Sequence, residues 1–211
     1  MSYQPHPIEK ESYEIIEGLI DLSSYSPEQR EIYKRVIHTT GDISFIKDLC
    51  ISEDAVKAGI SAILRGALLV TDVTMVQAGL KRSLIEKWKL TSVCCIHDGE
   101  IHKKSLRENT TRATASIRWL AEQTLESPVI LIIGDAPTAL QEAVHLVSKE
   151  KLKVDLIIGI PVGFVGTESS KQALMGQSRI PYITNKGTRG GSTVAAAIFN
   201  ALMILALRKP N

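Results

Sequence analysis

The sequence predicts an α/β protein. Its centre is a mostly parallel five-stranded sheet flanked by helices in three αβα layers, with a helical region at the N-terminus. Short apolar runs alternate with helical patterns, as in a parallel sheet covered on both faces. Three runs end abruptly in glycine-bearing loops: residues 130–140 (ILIIGDAPTAL), 157–167 (IIGIPVGFVGT) and 181–193 (PYITNKGTRGGST). The chain has 211 residues, 44% of them hydrophobic, which suffices for one core. It shows no repeat, linker or low-complexity tract, so residues 1–211 read as a single domain.

The first 65 residues read as helical. Ile8, Ile15, Ile16, Leu19 and Ile20 form one stripe at helical spacing. Ser26 followed by Pro27, Glu28 and Gln29 marks a second helix start, with a serine cap and proline in the first turn. Ile32, Val36 and Ile37 carry that helix to His38, and residues 39–42 break it, with Asp42 capping the next segment. Residues 52–54 open a third helix bearing Val56, Ile60, Ile63 and Leu64. Strands are expected at 67–71, 91–96, 129–133, 154–158 and 181–184. Helices are expected at 109–125, 138–149 and 169–175. The last stretch, 193–207, is very apolar but only about 15 residues long, too short to span a bilayer comfortably. It reads as a core helix or one buried at an interface.

Composition excludes several classes. The net charge is +2 and aromatics make up 5% of the chain, so neither a basic patch nor a base-stacking platform points to nucleic acid. Three cysteines, Cys50, Cys94 and Cys95, read as reduced thiols of a cytoplasmic protein. The opening residues lack the apolar segment of a secretory signal. His97 and His102 flank a loop, HDGEIH, but a third metal ligand is missing, so no metal site is expected.

Loops at the carboxyl ends of parallel strands form the usual crevice of α/β proteins, and these three suit an anionic ligand. Residues 187–193 (GTRGGST) precede the last helix. Amides at a helix start beside Arg189 suit a carboxylate or phosphate, although a plain strand-to-helix turn reads the same way. There is no Walker A lysine, no G-x-G-x-x-G and no G-x-S-x-G elbow. Thr111-Arg112 is a possible anion contact or a solvated pair. Asp135 reads as a helix cap or a ligand contact, and Asp72 as a strand-end cap or an active-site residue. His38 is suited to proton transfer near neutrality, yet a histidine is also favoured near a helix C-terminus by the dipole.

Blocks spread over nearly the whole chain resemble the precorrin-8X methylmutase family. They are residues 8–16 (IEKESYEII), 35–38 (RVIH) with Gly41-Asp42, Asp72 with Met75-Val76 and Gly79, and Thr111-Arg112. Further along come Ile133-Gly134 with 136–140 (APTAL), Ile158-Gly159 with 161–165 (PVGFV), and 190–192 (GGS) with 200–202 (NAL). The resemblance implies an isomerase of cobalamin biosynthesis that moves a ring methyl from C11 to C12 of precorrin-8X or cobalt-precorrin-8. It implies His38 as the proton donor and Ser12 as a substrate contact. It also implies a homodimer with no organic cofactor. On it, Asp72, Met75, Thr111, Arg112, Pro137, Thr138, Arg189, Gly190, Gly191 and Ser192 become substrate-binding candidates. Arg112, Arg189 and the 190–192 amides are placed to take the carboxylate arms. Ile160, Val162, Phe164, Val165 and Met75 would meet the macrocycle. The chain departs from the family pattern at Asp135, where Asn is usual, at Ala113, where Ser is usual, and at Ser169, where Glu is usual. A corrinoid-binding protein that hands its ligand on without turnover is the alternative, and an α/β enzyme for a phosphorylated metabolite is a third reading.

Overall fold

The computed structural model describes residues 6–208. The stretch read for a secretory signal begins in residues 1–5, outside that range. Two helices come first, α1 (Pro7–Leu19) and α2 (Pro27–Thr40), then a 3-10 turn (Ile43–Lys47) and a strand, β1 (Leu49–Ile51). Next come α3 (Ala55–Leu64), β2 (Leu68–Thr71), α4 (Thr74–Ala78), α5 (Arg82–Lys87), β3 (Thr91–Val93), α6 (Gly99–Arg107) and α7 (Arg112–Ala121). The remainder is β4 (Val129–Ile133), α8 (Pro137–Ser148), β5 (Leu156–Gly159), α9 (Thr167–Met175), β6 (Tyr182–Asn185) and α10 (Ser192–Ala206).

The sheet has six strands in the order β1-β6-β5-β4-β2-β3, one more than the sequence predicts. The extra strand is β1. It pairs antiparallel with β6, Cys50 opposite Thr184, while every other pair is parallel. The region before residue 65 is therefore not wholly helical. Two further expectations are corrected. The loop expected at 97–102 is helical from Gly99 onward: His97 lies in a turn, and Asp98 accepts hydrogen bonds from the amides of Glu100 and Ile101 and so caps α6, which contains His102. The strand expected at 91–96 ends at Val93.

All five residues of β4 are buried, as a strand covered on both faces requires. Ile130 and Ile132 face one core with residues of α2, α3 and α10, and Leu131 and Ile133 face the other with residues of α7, α8 and α9. The period of two divides each strand between the layers. In α10 every residue except Thr193 is buried, which makes it the central core helix. No helix among the described residues is long and apolar enough to cross a membrane.

The N-terminal helices use strong local signals. Ser26 and Gln29 form a reciprocal capping box at the start of α2, and Gly41 ends the helix at φ +64°. On α1 the expected stripe divides. Ile16 is buried, whereas Ile8, Ile15 and Leu19 are 68%, 58% and 61% exposed.

Candidate active site

Strand order reverses beside β2: the chain goes outward to β3 and returns to place β4 on the other side. Such a switch point opens a crevice at the carboxyl ends of the strands. A cavity of about 460 Å³ lies there, lined by Val73, Thr74, Ile96, His97, Arg112, Asp135 and the 136–138 helix start, among others. Thr111 caps α7 by accepting from the amide of Thr114, and its hydroxyl lies 2.9 Å from that of Thr138 at the start of α8. The two helix starts are thus tied together at the cavity wall. The Arg112 side chain is exposed and has no ion-pair partner among the described residues. Pro137 occupies the first position of α8, where its missing N–H costs nothing.

Asp72 stands beneath this wall and is 3% exposed. Oδ1 accepts from the amides of Val73 and Gly134, both at 3.0 Å, and Oδ2 from those of Asp135 at 2.8 Å and Ala136 at 2.7 Å. Burial pushes its carboxyl above the usual range, opposed by the amide hydrogen bonds. The side chain grips the loop after β4 and does not present itself at the cavity surface. Asp135, by contrast, is exposed at the rim.

The loops after β5 and β6 are joined through backbone. The Gly163 N–H donates to the Thr188 carbonyl at 3.1 Å, and the Gly191 N–H to the Ile160 carbonyl at 2.9 Å. Gly190 sits at φ +155°, and a Cβ there would lie 2.5 Å from the Ile160 carbonyl oxygen, so only glycine fits. The Gly191 amide is already engaged, and Ser192 is buried as the first residue of α10. Ile160 is fully buried and belongs to the core, which corrects its expected place against a ligand. Val162, Phe164, Val165 and Met75 are exposed, at 42%, 92%, 90% and 68%.

His38 lies in the last turn of α2, with an exposed ring. Its Nδ1 is 2.8 Å from Ser12 Oγ on α1, and Tyr13 meets it edge-on at 5.6 Å between ring centres. Glu9 and Arg35 pair across the same two helices. Ser12 occupies Nδ1 and leaves Nε2 for another partner.

Arg189 is not a free guanidinium. It pairs with Asp42 and Asp48, donates to Ser44 Oγ at 2.9 Å and lies over the Phe45 ring at 4.7 Å. Hydrogen bonds from Ser44, with Arg189 adding to them, hold Asp42 below the usual carboxylate range.

Sequence reasoning passed over His97 as a cavity residue and Tyr13 as a neighbour of His38. The position of His97 just beyond a predicted strand, at the edge that carries the crevice, was the available signal. Among the described residues no group of three or more His, Cys, Asp or Glu is arranged to hold a metal ion.

Known proteins resemble this chain in sequence and in overall fold. A family profile described as "Precorrin-8X methylmutase" matches residues 7–205. The chain is 39% identical over 206 residues to a cobalt-precorrin-8 methylmutase of Priestia megaterium, covering 98% of this chain and 90% of that protein. It is 35% identical over 207 residues to one of Leptospira interrogans, covering 96% and 94%. A solved precorrin-8X methylmutase from Thermus thermophilus superposes with a TM-score of 0.87 at 32% identity, covering 95% of each chain. The chain therefore belongs to the precorrin-8X methylmutase family, isomerases of cobalamin biosynthesis.

Proposed function

We propose that the protein moves the ring methyl of precorrin-8X or cobalt-precorrin-8 from C11 to C12, with His38 as proton donor. The observation that carries this reading is the Ser12–His38 contact of 2.8 Å, which fixes an exposed imidazole by Nδ1. As an imidazolium, His38 donates Nδ1–H to Ser12 Oγ and delivers its Nε2 proton to the macrocycle. Protonation draws electron density from the π-system while the methyl leaves C11 and bonds to C12. The proton is then returned, so substrate and product have the same mass. A positioned acid contributes about 10²–10⁴-fold, and rigid holding of the ring adds to it.

Carboxylate arms are received by Arg112 and the Thr111–Thr138 wall beside Pro137. Asp72 serves by holding the 134–136 loop. Met75, Val162, Phe164 and Val165 lie against the macrocycle, and the 190–192 backbone closes the neighbouring edge. No organic cofactor is required by this chemistry. The protein works in the cytoplasm as one domain per subunit of a homodimer. Exposed Ile8, Ile15 and Leu19 on α1 supply an apolar face that a second copy would cover.

The test is an anaerobic absorbance time course with metal-free and cobalt-loaded precorrin-8 in parallel. Wild type is expected to convert one of them to the hydrogenobyrinate or cobyrinate spectrum, and His38→Ala to bind without converting. Full turnover by His38→Ala would end the acid assignment. Binding without conversion by wild type would favour the hand-over reading.

A further inference from the structure

We propose that Lys171 and Arg189 are positioning residues that set the orientation of His38 through the glycine loop after β6. The inference rests on the reading of His38 as the acid. Lys171 lies on α9 and is completely buried. Its Nζ donates to the carbonyl of Gly187 at 3.1 Å and to that of Arg189 at 2.5 Å. Asn185 Nδ2, also inside, donates to the Arg189 carbonyl at 2.8 Å and to that of Lys186 at 3.0 Å. Burying an amine is costly unless its hydrogen bonds are made. Burial here pushes the Lys171 amine down to about 8. An apolar side chain would fill the same space without that cost but would leave the loop carbonyls unheld.

Because the Arg189 carbonyl is pulled inward, its side chain is directed across the loop to Asp42, Ser44 and Asp48. Asp42 is in turn bound to the end of α2. Its N–H donates to Thr40 Oγ1 at 3.2 Å, Thr40 Oγ1 donates to the Val36 carbonyl at 2.9 Å, and the Gly41 N–H donates to the Ile37 carbonyl at 2.8 Å. These contacts enclose the turn that carries His38. A continuous set of bonds therefore runs from the core of α9, through the glycine loop, to the helix end presenting the imidazole. Arg189 is spent on this relay, which leaves Arg112 to receive substrate arms.

The test uses Arg189→Met and Lys171→Met in the full chain, with Arg179→Met as a control at an exposed ion pair with Glu150. With the precorrin-8 that wild type turns over, both relay variants should lose roughly ten- to a hundredfold in kcat, with KM within about twofold. A raised KM at unchanged kcat would mean that Arg189 holds a carboxylate arm and would overturn the relay. Nitrogen-15 NMR of the His38 ring in ligand-free protein gives a second readout, independent of turnover. Both relay variants should shift the His38 signals and Arg179→Met should not. Should Lys171→Met fail to fold, Arg189→Met, altered at a half-exposed side chain, still decides. Unmoved His38 signals in folded Arg189→Met would refute the proposal. If wild type converts neither substrate, the methylmutase reading fails, while the NMR result still judges the relay.

Discussion

Replacing Asp72 by Asn separates two opposing costs at the floor of the crevice. The carboxylate accepts four backbone N–H groups, from Val73, Gly134, Asp135 and Ala136. An Asn side chain has the same shape but offers one oxygen, so it serves one pair and turns its NH₂ toward the other. Two amides then lack a partner, at about 1–3 kcal/mol each, or roughly 2–6 kcal/mol together. Burial works in the opposite sense, since it pushes the Asp72 carboxyl up and removing the charge recovers part of that cost. Amide satisfaction is the larger effect, because either pair that could be stranded, Val73 with Gly134 or Asp135 with Ala136, includes a donor of the loop that Asp72 holds. The expected net loss is about 2 kcal/mol or more, a large share of the about 5–15 kcal/mol that holds a typical domain together. In urea this lowers the unfolding midpoint by about 0.7–2 M, for a slope of about 1–3 kcal/mol per M. A midpoint for Asp72→Asn equal to or above that of wild type would refute the reasoning and show that the buried charge is the greater burden.

Ser12→Ala removes the partner of His38 Nδ1, and turnover should fall roughly tenfold, the worth of one hydrogen bond of about 1.4 kcal/mol; unchanged kcat would detach Ser12 from catalysis. Gly190→Ala drives a Cβ against the Ile160 and Pro161 carbonyl oxygens, at 2.5 and 2.7 Å, so the loop must shift. A loss of about 1–3 kcal/mol in denaturant melts is expected. Lys171 gives stability a pH dependence. Burial lowers its amine from the ordinary lysine range to about 8, with Asp48, Arg189 and Glu168 as its charged neighbours. The folded state therefore releases this proton before the unfolded state does, and stability rises from about pH 8 toward pH 10. Buried Tyr33 is shifted upward, so the unfolded chain ionises it first and stability falls above about pH 10. Burial also shifts the Cys50 and Cys95 thiols upward, which opposes the rise above about pH 9. The Lys171 contribution is therefore read as the wild-type urea midpoint minus that of Lys171→Met, a difference that should grow between about pH 8 and pH 10.

The sheet was legible wherever a strand is apolar along its whole length, as at Val129–Ile133. β1 was not, because Leu49–Ile51 is three residues long and comes directly after a 3-10 turn. Its extended form depends on pairing with β6, more than 130 residues away in sequence. Helix α6 was hidden by its composition, since only Ile101 and Ser105 are buried along it. The glycine loops marked the edge of the sheet where the crevice lies. They could not reveal the partners of Arg189, because Asp42 and Asp48 are 147 and 141 residues distant. The Ser12–His38 pair spans 26 residues on two separate helices. Its expectation came from resemblance to a family, since no local spacing rule connects the two. Lys171 stands among polar residues of α9, and only the folded neighbourhood reveals that it is buried.

The crevice loops are largely held by their own main-chain groups: Gly163 N–H to the Thr188 carbonyl, Gly191 N–H to the Ile160 carbonyl, the amides of 134–136 to the Asp72 carboxylate, and the carbonyls of Gly187 and Arg189 to Lys171. Peptide groups are the same whatever side chain they carry. A survey of single alanine replacements along these loops would leave most of their fastenings untouched and would understate the importance of the segment. Substitutions that alter the backbone itself, such as proline for a donor residue or an ester in place of an amide, would expose it. The same independence from side-chain identity suits a fold that is kept between chains agreeing at only about a third of their positions.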